Sequence, residues 1–313
     1  MYVQATLRPH DSPETSAGEP FDHLLRTIVN VSSVPLRSPF RYPGGKTWLI
    51  PHIRLWLQTQ NRRPAELIEP FAGGAAVGLT AIFEGLVDRL TLVEIDPDVS
   101  SVWHTILNGD AEGLAHDVAH FEMSVESVRS VLRAEPSSVR ERAFATLLKN
   151  RVQRGGILAP GASVMKAGEN GRGISSRWYP ETLRRRILSI AHLRDRITFV
   201  QGDGISYIRE RSAQPNVVFF IDPPYTVAGR RLYTYSAIDH VELFRVASAL
   251  QGDLLMTYDS TPEIQVLAER FGFATTQVLM KNTHHAKKAE LLVGRDLSWV
   301  NVPSGAPLLR ASP

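Results

Sequence analysis

The sequence predicts an α/β fold, a doubly wound, mixed seven-stranded Rossmann-like sheet that carries a helical insertion. Short apolar runs alternate with helical patterns along the chain, which is typical of such a sheet. Two of the runs end in chemically useful groups, the glycine pair Gly73-Gly74 and the acid Asp222. Open α/β sheets bind ligands just outside the carboxyl ends of their strands. A helix-rich segment interrupts the alternation and predicts the insertion.

The elements follow one another in order. Seven strands are predicted, at residues 67–70, 90–93, 197–200, 217–221, 254–258, 274–279 and 290–293. Seven helices are predicted, at residues 77–84, 99–107, 124–132, 139–150, 180–193, 240–250 and 264–271. The strand at 217–221 is the clearest, because it is wholly apolar and a proline pair stops it.

Domain boundaries follow from this order. The sheet-forming pieces at residues 39–104 and 191–300 are expected to form the core, and residues 105–190 the helical insertion. Residues 1–38 carry Pro, Ser and charge, so we expect a poorly ordered or peripheral N-terminal extension with one short helix near 21–29. Residues 301–313 are expected to form a C-terminal tail.

Composition excludes several classes of protein and site. The 313 residues are 43% hydrophobic and 21% charged, and no apolar run approaches the length of a membrane span. A secretory signal is lacking at the N-terminus, so a cytoplasmic protein is expected. The chain has no cysteine, which excludes disulfides, thiolate metal sites and a cysteine nucleophile, and with it carbon-5 cytosine methylation through a Cys adduct. Since no His, Asp or Glu cluster has ligand spacing, no metal is expected.

Asp222-Pro223-Pro224-Tyr225 is the most informative segment, because it directly follows the apolar run at 217–221. Its chemistry suits the binding of a planar amine. The carboxylate accepts one N–H, a proline carbonyl accepts a second, and the aromatic ring stacks on the amine's own ring. The alternative interpretation is a strand-ending turn with a capping Asp.

Two segments upstream indicate a nucleotide-bearing ligand. Gly73-Gly74 follow one strand, and Glu94 ends the next, about 20 residues on, where a carboxylate can bind ribose hydroxyls. The full Gly-x-Gly-x-x-Gly spacing is absent, so a pyrophosphate ligand is not supported. The block 41–46, with Pro-Gly-Gly before Lys46 and a helix, could hold a carboxylate-bearing ligand, and it lacks the spacing of a P-loop. Simple structural turns are the alternative for both segments.

The insertion carries most of the positive charge. Between residues 149 and 186 lie nine basic and two acidic residues, a net charge of +7 against +3 for the whole chain. A glycine-rich stretch and two aromatic residues accompany them, which favours contact with a nucleic-acid backbone. A solvated basic helix face with a long surface loop is the alternative. The candidate contacts are Lys149, Arg151, Arg154, Arg172, Arg184, Arg185 and Arg186, with Arg230 and Arg231 in the loop after Tyr225.

Together these motifs resemble the Dam-like, D12 class of DNA adenine-N6 methyltransferases, from about residue 40 to about residue 296. They occur in the family's order: Pro-Gly-Gly-Lys at 43–46, Glu-Pro-Phe-Ala-Gly-Gly at 69–74, Val-Glu-Ile-Asp at 93–96, Asn-Arg at 150–151, Asp-Pro-Pro-Tyr at 222–225 and Lys-Lys-Ala-Glu-Leu-Leu at 287–292. Two departures are Ala75, where the family usually has Gly, and Glu94, where Asp is common in the Dam branch.

The resemblance implies an S-adenosylmethionine-dependent, site-specific enzyme that methylates adenine N6 in flipped-out bases of duplex DNA. It implies a catalytic domain at 39–104 and 191–300 and a DNA target-recognition domain at 105–190. Asp222, Pro223, Pro224 and Tyr225 fall at the catalytic motif. The expected cofactor contacts are Tyr42, Gly44, Lys46, Phe71, Gly73, Glu94, Asp203 and Asp222. Asp203 either binds the cofactor's adenine amine or caps the turn that follows it.

Other readings of the same residues stay open. An RNA adenine-N6 methyltransferase would have the same site, and a degenerate, non-catalytic DNA-recognition module is the alternative from another class. Cytosine-N4 enzymes usually have Ser before Pro-Pro-Tyr, and protein-glutamine enzymes usually have Asn. We expect a monomer that binds double-stranded DNA, with a restriction-modification or defence-system partner as a further expectation.

Overall fold

The computed structural model describes residues 34–41, 44–162, 164–165, 171–225, 235, 237–281 and 287–301. One seven-stranded sheet organises them, with strands β1 Glu66–Glu69, β2 Arg89–Glu94, β3 Ile197–Gln201, β4 Val217–Ile221, β5 Leu254–Asp259, β6 Ala274–Lys281 and β7 Lys287–Gly294. Their spatial order is β3-β2-β1-β4-β5-β7-β6. The mixed, doubly wound sheet predicted from the sequence is therefore confirmed.

Pairing in the sheet changes direction once. Strands β1 to β5 are all parallel, and β7 then pairs antiparallel with both β5 and β6. The register sets Glu66 opposite Val217 and Ile68 opposite Phe219. Because both strands end together, the segments after β1 and after β4 emerge side by side at the carboxyl ends of the parallel strands.

Ten helices are present in the described part of the chain. They are α1 Ile50–Thr59, α2 Ala76–Phe83, α3 Pro97–Asn108, α4 Ala111–His120, α5 Val125–Arg133, α6 Val139–Val152, α7 Pro180–Ala191, α8 Gly204–Glu210, α9 His240–Ser248 and α10 Pro262–Arg270. A 3₁₀ turn, Lys46–Leu49, leads into α1. All seven predicted helices are confirmed within a few residues at each end.

Of the other three helices, α1 was expected only as a helix after Lys46, without bounds, and two were not predicted. The buried stripe of α4 contains Ala111, Leu114, Ala115 and Val118, and its two alanines weaken the apolar signal. Helix α8 is only seven residues long. Both begin at an aspartate whose side chain accepts an amide of the first turn, Asp110 from Gly113 and Asp203 from Ser206. These caps are the sequence signal that could have located them.

The insertion shares a hydrophobic core with the sheet. One buried cluster extends from Leu92 on β2 through Trp103 on α3 to Leu147 on α6 and Ile187 on α7. Helix α3 crosses the predicted boundary at residue 105 without a break. The inserted helices therefore pack on the sheet rather than forming a separately buried unit.

Within the described ranges, no helix is both long enough and apolar enough to cross a bilayer. The predicted helix near residues 21–29 and the tail at 302–313 lie outside the described residues.

Candidate active site

A cavity of about 720 Å³ opens at the carboxyl ends of the neighbouring strands β1 and β4. The chain runs from β1 to β2 on one side and returns at β4 on the other. This is the topological switch point at which doubly wound sheets bind ligands. The turn after β1, the acid ending β2 and Asp222 all line this cavity. The structure thus brings together both predicted halves of the site.

The glycine turn after β1 is fixed by backbone contacts. Gly73 has a φ of 45° and Ala75 a φ of 50°, both in the left-handed region that favours glycine. The Ala72 N–H donates to the Val93 carbonyl at 2.9 Å, and the Trp103 indole N–H donates to the Gly73 carbonyl at 2.9 Å. Ala75 therefore adopts the conformation a glycine would take, so the departure from the family pattern leaves a tight turn in place.

Glu94 supports this turn from the end of β2. Its Oε2 accepts the Gly73 amide at 2.9 Å, and its Oε1 accepts the amides of Ile95 and Asp96, each at 2.9 Å. A carboxylate has about four acceptor positions, so roughly one remains free for a ligand. Burial raises the pKa of Glu94 to about 7, and the backbone amides oppose that rise.

Glu69, the last residue of β1, is a second buried carboxyl in the cavity wall. It accepts the amide of Gly78 on α2, which joins the strand to the helix that follows the turn. Burial raises the pKa of Glu69 to about 8, and the charge of Asp222 adds to the rise. The raised pKa favours the protonated form of Glu69 near neutral pH, which the sequence did not reveal.

Asp222 lies just past β4 with a side chain that is 23% exposed. Its Oδ2 is 2.8 Å from Lys46 Nζ. Its Oδ1 accepts the Thr257 hydroxyl at 2.7 Å and lies 3.2 Å from the Tyr225 hydroxyl oxygen. These donors fix the carboxylate without covering it, because one of its four acceptor positions stays available at the cavity. Asp222 is thus held at the cavity by residues of three different segments.

Lys46 is buried behind Asp222, with only 3% of the residue exposed. Its Nζ donates to the Gly44 carbonyl at 2.8 Å, lies 3.4 Å from Glu290 Oε1 and stands 5.1 Å from the centre of the Tyr225 ring. Burial alone would lower the pKa of Lys46, but Asp222 and Glu290 outweigh it and raise the pKa. The side chain therefore carries a lasting positive charge between two carboxylates.

Thr257 and Glu290 complete this group, and the sequence assigned a role to neither. Thr257 lies in β5 and Glu290 in β7, so each is distant in sequence from Asp222. The Glu at 290 belongs to the closing-strand signature that supported the family resemblance, which was the available signal. Tyr225 donates its hydroxyl to Glu290, and its ring stacks on Tyr258 with centroids 6.0 Å apart.

The remaining predicted cofactor residues are placed as follows. Asp203 is exposed, caps α8 and lines the cavity, and its contact with a ligand stays a prediction. Gly44 and Phe71 line the cavity, and their contact with a cofactor stays a prediction. Tyr42, Arg230 and Arg231 lie outside the described residues.

The predicted nucleic-acid residues divide into two groups. Lys149 is half-buried, and four arginines are exposed: Arg154, Arg172, Arg184 and Arg185. Arg151 is only 4% exposed and donates to the Pro39 carbonyl. Burial lowers the pKa of Arg151 to about 10, and the nearby Arg186 contributes. Arg186 donates to the Ser38 carbonyl at 3.0 Å. These two side chains line the cavity and hold the segment before residue 41, rather than lying on an outer surface.

Asn150 fastens the same segment. Its Oδ1 accepts the Arg41 amide at 2.8 Å, and its Nδ2 donates to the carbonyls of Arg41 at 3.1 Å and Gly156 at 2.7 Å. The residue is fully buried. The Asn-Arg pair of the insertion therefore positions the strap at residues 34–41, which forms one wall of the cavity.

The comparison with family models now bears on this site. Residues 42–132 match the model of the D12 class N6 adenine-specific DNA methyltransferases. This stretch contains Lys46, Glu69, Gly73 and Glu94, the cofactor half of the predicted site. The Asp-Pro-Pro-Tyr segment and most of the insertion lie beyond the matched range.

Several solved structures are similar in fold at low identity. The Pyrococcus horikoshii protein PH1948 is 9% identical, with 87% of this chain and 97% of that chain covered and a TM-score of 0.39. The rRNA methyltransferase aviRa of Streptomyces viridochromogenes is 15% identical, with coverage of 89% and 94% and a TM-score of 0.34. The tRNA methyltransferase TrmK of B. subtilis is 11% identical, with coverage of 77% and 64% and a TM-score of 0.33. No curated protein matches the sequence.

Among the described residues, no group of three or more His, Asp or Glu side chains is placed to hold a metal ion.

Proposed function

We propose that this protein transfers a methyl group from S-adenosylmethionine to the N6 amine of adenine in duplex DNA. The observation that carries the proposal is the position of Asp222. Its carboxylate faces the same cavity as Glu94 and the glycine turn, which belong to the range matched by the adenine-methyltransferase model. A cofactor and a target amine would therefore meet at one switch point.

The residues in the cavity wall fit such a cofactor. Glu94 keeps roughly one acceptor position for a ribose hydroxyl. The Gly73 turn lets a ligand approach the backbone closely. The volume of about 720 Å³ is within the range of small-molecule sites. When bound, S-adenosylmethionine supplies an electrophilic methyl group.

Asp222 and Pro223 would hold the amine. Adenine N6 is a poor nucleophile because its lone pair is delocalised into the ring. The free acceptor position of Asp222 and the Pro223 carbonyl would accept its two N–H groups and favour a more tetrahedral nitrogen. Lys46 and Thr257 keep the carboxylate in place, so positioning and electrostatics supply most of the rate. No covalent intermediate with the enzyme is needed.

Duplex DNA would reach this cavity by base flipping, since an adenine inside the stack cannot contact Asp222. The exposed arginines of the insertion, Arg154, Arg172, Arg184 and Arg185, are proposed to contact phosphates, which positions the duplex. Arg151 and Arg186 would contribute charge from within the cavity wall.

The first test is methyl transfer from labelled S-adenosylmethionine to unmethylated duplex DNA, followed by digestion to nucleosides and mass identification. N6-methyladenine is the expected product. Transfer to RNA and not to DNA would change the substrate while keeping the site. Transfer to neither nucleic acid, with the cofactor unbound, would contradict the proposal and favour a non-catalytic recognition module.

Asp222→Ala is the matching variant. We expect loss of methyl transfer by at least about 100-fold, because the group that holds the amine is removed, with DNA affinity largely unchanged. Filter binding and single-turnover transfer measure the two quantities. Retained transfer would remove Asp222 from the catalytic group.

A further inference from the structure

Glu290 is a buried carboxylate that the proposed transfer does not use. It lies on β7, and its side chain is only 5% exposed. Its Oε1 accepts the Tyr225 hydroxyl and lies 3.4 Å from Lys46 Nζ. No donor in the described part of the chain contacts its Oε2, although this oxygen is buried as well. Because an under-satisfied buried carboxylate is costly to keep ionised, it is a favourable place for a proton.

Tyr225 connects Glu290 to Asp222. The hydroxyl donates to Glu290 and lies 3.2 Å from Asp222 Oδ1. A hydroxyl can accept one proton while it gives up its own, so it can pass a proton between two carboxylates. The connection runs from the carboxylate that faces the cavity to the one behind it.

We propose that Glu290 takes up, through the Tyr225 hydroxyl, the proton that the target amine loses when it is methylated. The inference rests on the proposed function, since it requires an amine held by Asp222. Glu290 is then a positioning residue for the proton, because it acts through Tyr225 and does not touch the substrate.

Bonds, charges and protons balance in this step. The amine lone pair forms the new N–C bond, and the electron pair of the broken S–C bond stays on sulfur. The nitrogen then carries the positive charge that the sulfonium has lost. It releases one proton to Asp222, Asp222 passes a proton to the Tyr225 oxygen, and Tyr225 passes its own to Glu290. Asp222 is again a carboxylate, and Glu290 is a neutral acid that returns the proton to water after product release.

The charged and titratable neighbours of Glu290 come from three segments. Lys46 precedes α1, Asp222 and Tyr225 follow β4, and Asp259 lies opposite Glu290 in the β5–β7 register. On the β6 side the opposite residue is the apolar Val278. Burial raises the pKa of Glu290 and the Asp222 charge adds to this, while Lys46 opposes it. A raised pKa makes Glu290 a better proton acceptor near neutral pH than an ordinary glutamate.

The test compares Glu290→Gln with the unchanged full chain. Glutamine keeps a carbonyl that can accept from Tyr225 and Lys46, but it cannot take up a proton. The control is Glu269→Gln, since Glu269 is exposed on α10, away from the site. Three quantities are measured for each protein: binding of S-adenosylmethionine by calorimetry, binding of adenine-containing duplex, and the single-turnover rate of N6-methyladenine formation from pH 5 to 9 with the cofactor saturating.

We expect Glu290→Gln to bind cofactor and duplex within about threefold of the unchanged protein, while its transfer rate falls by about 100-fold, as for the loss of a general base. In the unchanged protein the transfer rate should fall at low pH, because Glu290 is then already protonated and cannot accept the proton of the amine. This fall in rate is the acid limb of the pH profile. Glu290→Gln should lose this acid limb, and Glu269→Gln should keep it.

A Glu290→Gln protein with unchanged rate and unchanged acid limb would overturn the relay and leave the proposed function standing. An unchanged protein that forms no N6-methyladenine would overturn both. If Glu290→Gln does not fold, Tyr225→Phe breaks the same connection while keeping the ring. A Tyr225→Phe protein that retains both the rate and the acid limb would equally contradict the relay.

Discussion

At Glu94, burial and three backbone amides act in opposite directions on one carboxylate. The amides of Gly73, Ile95 and Asp96 favour the ionised form, and burial disfavours it more strongly, so its pKa rises to about 7. An aspartate in this position would be one methylene shorter. The longer glutamate accepts the Gly73 amide, so it both supports the glycine turn and faces the proposed ribose.

Cofactor affinity should therefore depend on pH. A ribose hydroxyl donates to the ionised carboxylate, which predominates above about pH 7. We expect the affinity for S-adenosylmethionine to strengthen by about fivefold to tenfold from pH 6 to pH 8, consistent with one charge-assisted hydrogen bond. Isothermal titration at both pH values measures this. Glu94→Gln should bind more weakly and show much less change with pH, and an identical pH response in that variant would exclude Glu94 as the cause.

Glu69 should make the fold more stable in mild acid than in mild base. The folded protein holds this proton up to about pH 8, whereas an unfolded glutamate releases it near 4.5. Between these values the folded state binds more protons, so the free energy of unfolding falls as the pH rises. Glu69→Gln removes the cost of ionisation and should stabilise the protein by about 2–4 kcal/mol at pH 8. Urea unfolding at pH 8 and pH 5 measures this, and an equal gain at both would contradict the assignment.

At the scale of elements, the strap at residues 34–41 depends on α6. Asn150 and Arg151, both in α6, bond to the backbone of Arg41 and Pro39, and Arg186 from α7 bonds to Ser38. The strap is thereby held as a cavity wall by side chains that lie 109 to 148 positions later in the sequence. The insertion accordingly helps to form the cavity wall, besides any contact with nucleic acid that is proposed for it.

Asn150→Ala should weaken this connection. The change leaves backbone groups of Arg41 and Gly156 without their partner in a buried place, which we expect to cost about 2–4 kcal/mol of unfolding free energy. Chemical denaturation measures the loss. Asn108→Ala is the control, because Asn108 is exposed at the end of α3 and should change stability by less than about 0.5 kcal/mol. Equal losses in the two variants would show that the strap is not held by Asn150.

At the scale of the whole molecule, the exposed positive charges and the proposed catalytic groups lie in different parts of the fold. The described carboxylates that line the cavity lie at or just past the ends of β1, β2, β3 and β4, whereas the exposed arginines proposed as phosphate contacts come from the insertion. The formal net charge is only +3, so affinity for a polyanion must come from this local concentration of arginine.

Removing two of these charges should change the salt dependence of DNA binding. Arg184→Gln with Arg185→Gln deletes two exposed charges of α7, and each lost phosphate contact lowers the slope of log affinity against log salt by about 0.9. We expect the slope to fall by about 2 in fluorescence-anisotropy titrations. Arg129→Gln with Arg133→Gln removes two exposed charges of α5 and serves as the control. A slope equally unchanged in both proteins would remove α7 from the interface.

The sequence predicted the parallel part of the sheet well, because each strand is short, apolar and bounded by turn residues. It predicted the chemistry that ends those strands for the same reason, as at Asp222 and Glu94. It failed where the signal is not local. Helix α4 buries alanines, which carry little periodic contrast. Thr257, which donates to Asp222, lies 35 residues further along the chain, and Glu290, which accepts from Tyr225, lies 65 residues beyond that tyrosine.

By itself the sequence determined the fold class, the order of the elements and the residues placed at the carboxyl ends of the strands. These follow from apolar patterning and turn chemistry, which act over a few neighbouring residues. Only the tertiary structure decided that Glu69 and Glu290 are buried, that Lys46 lies between two carboxylates and that Arg151 faces inward. Burial and charge pairing depend on which segments meet in space, and they set the protonation states on which the proposed chemistry rests.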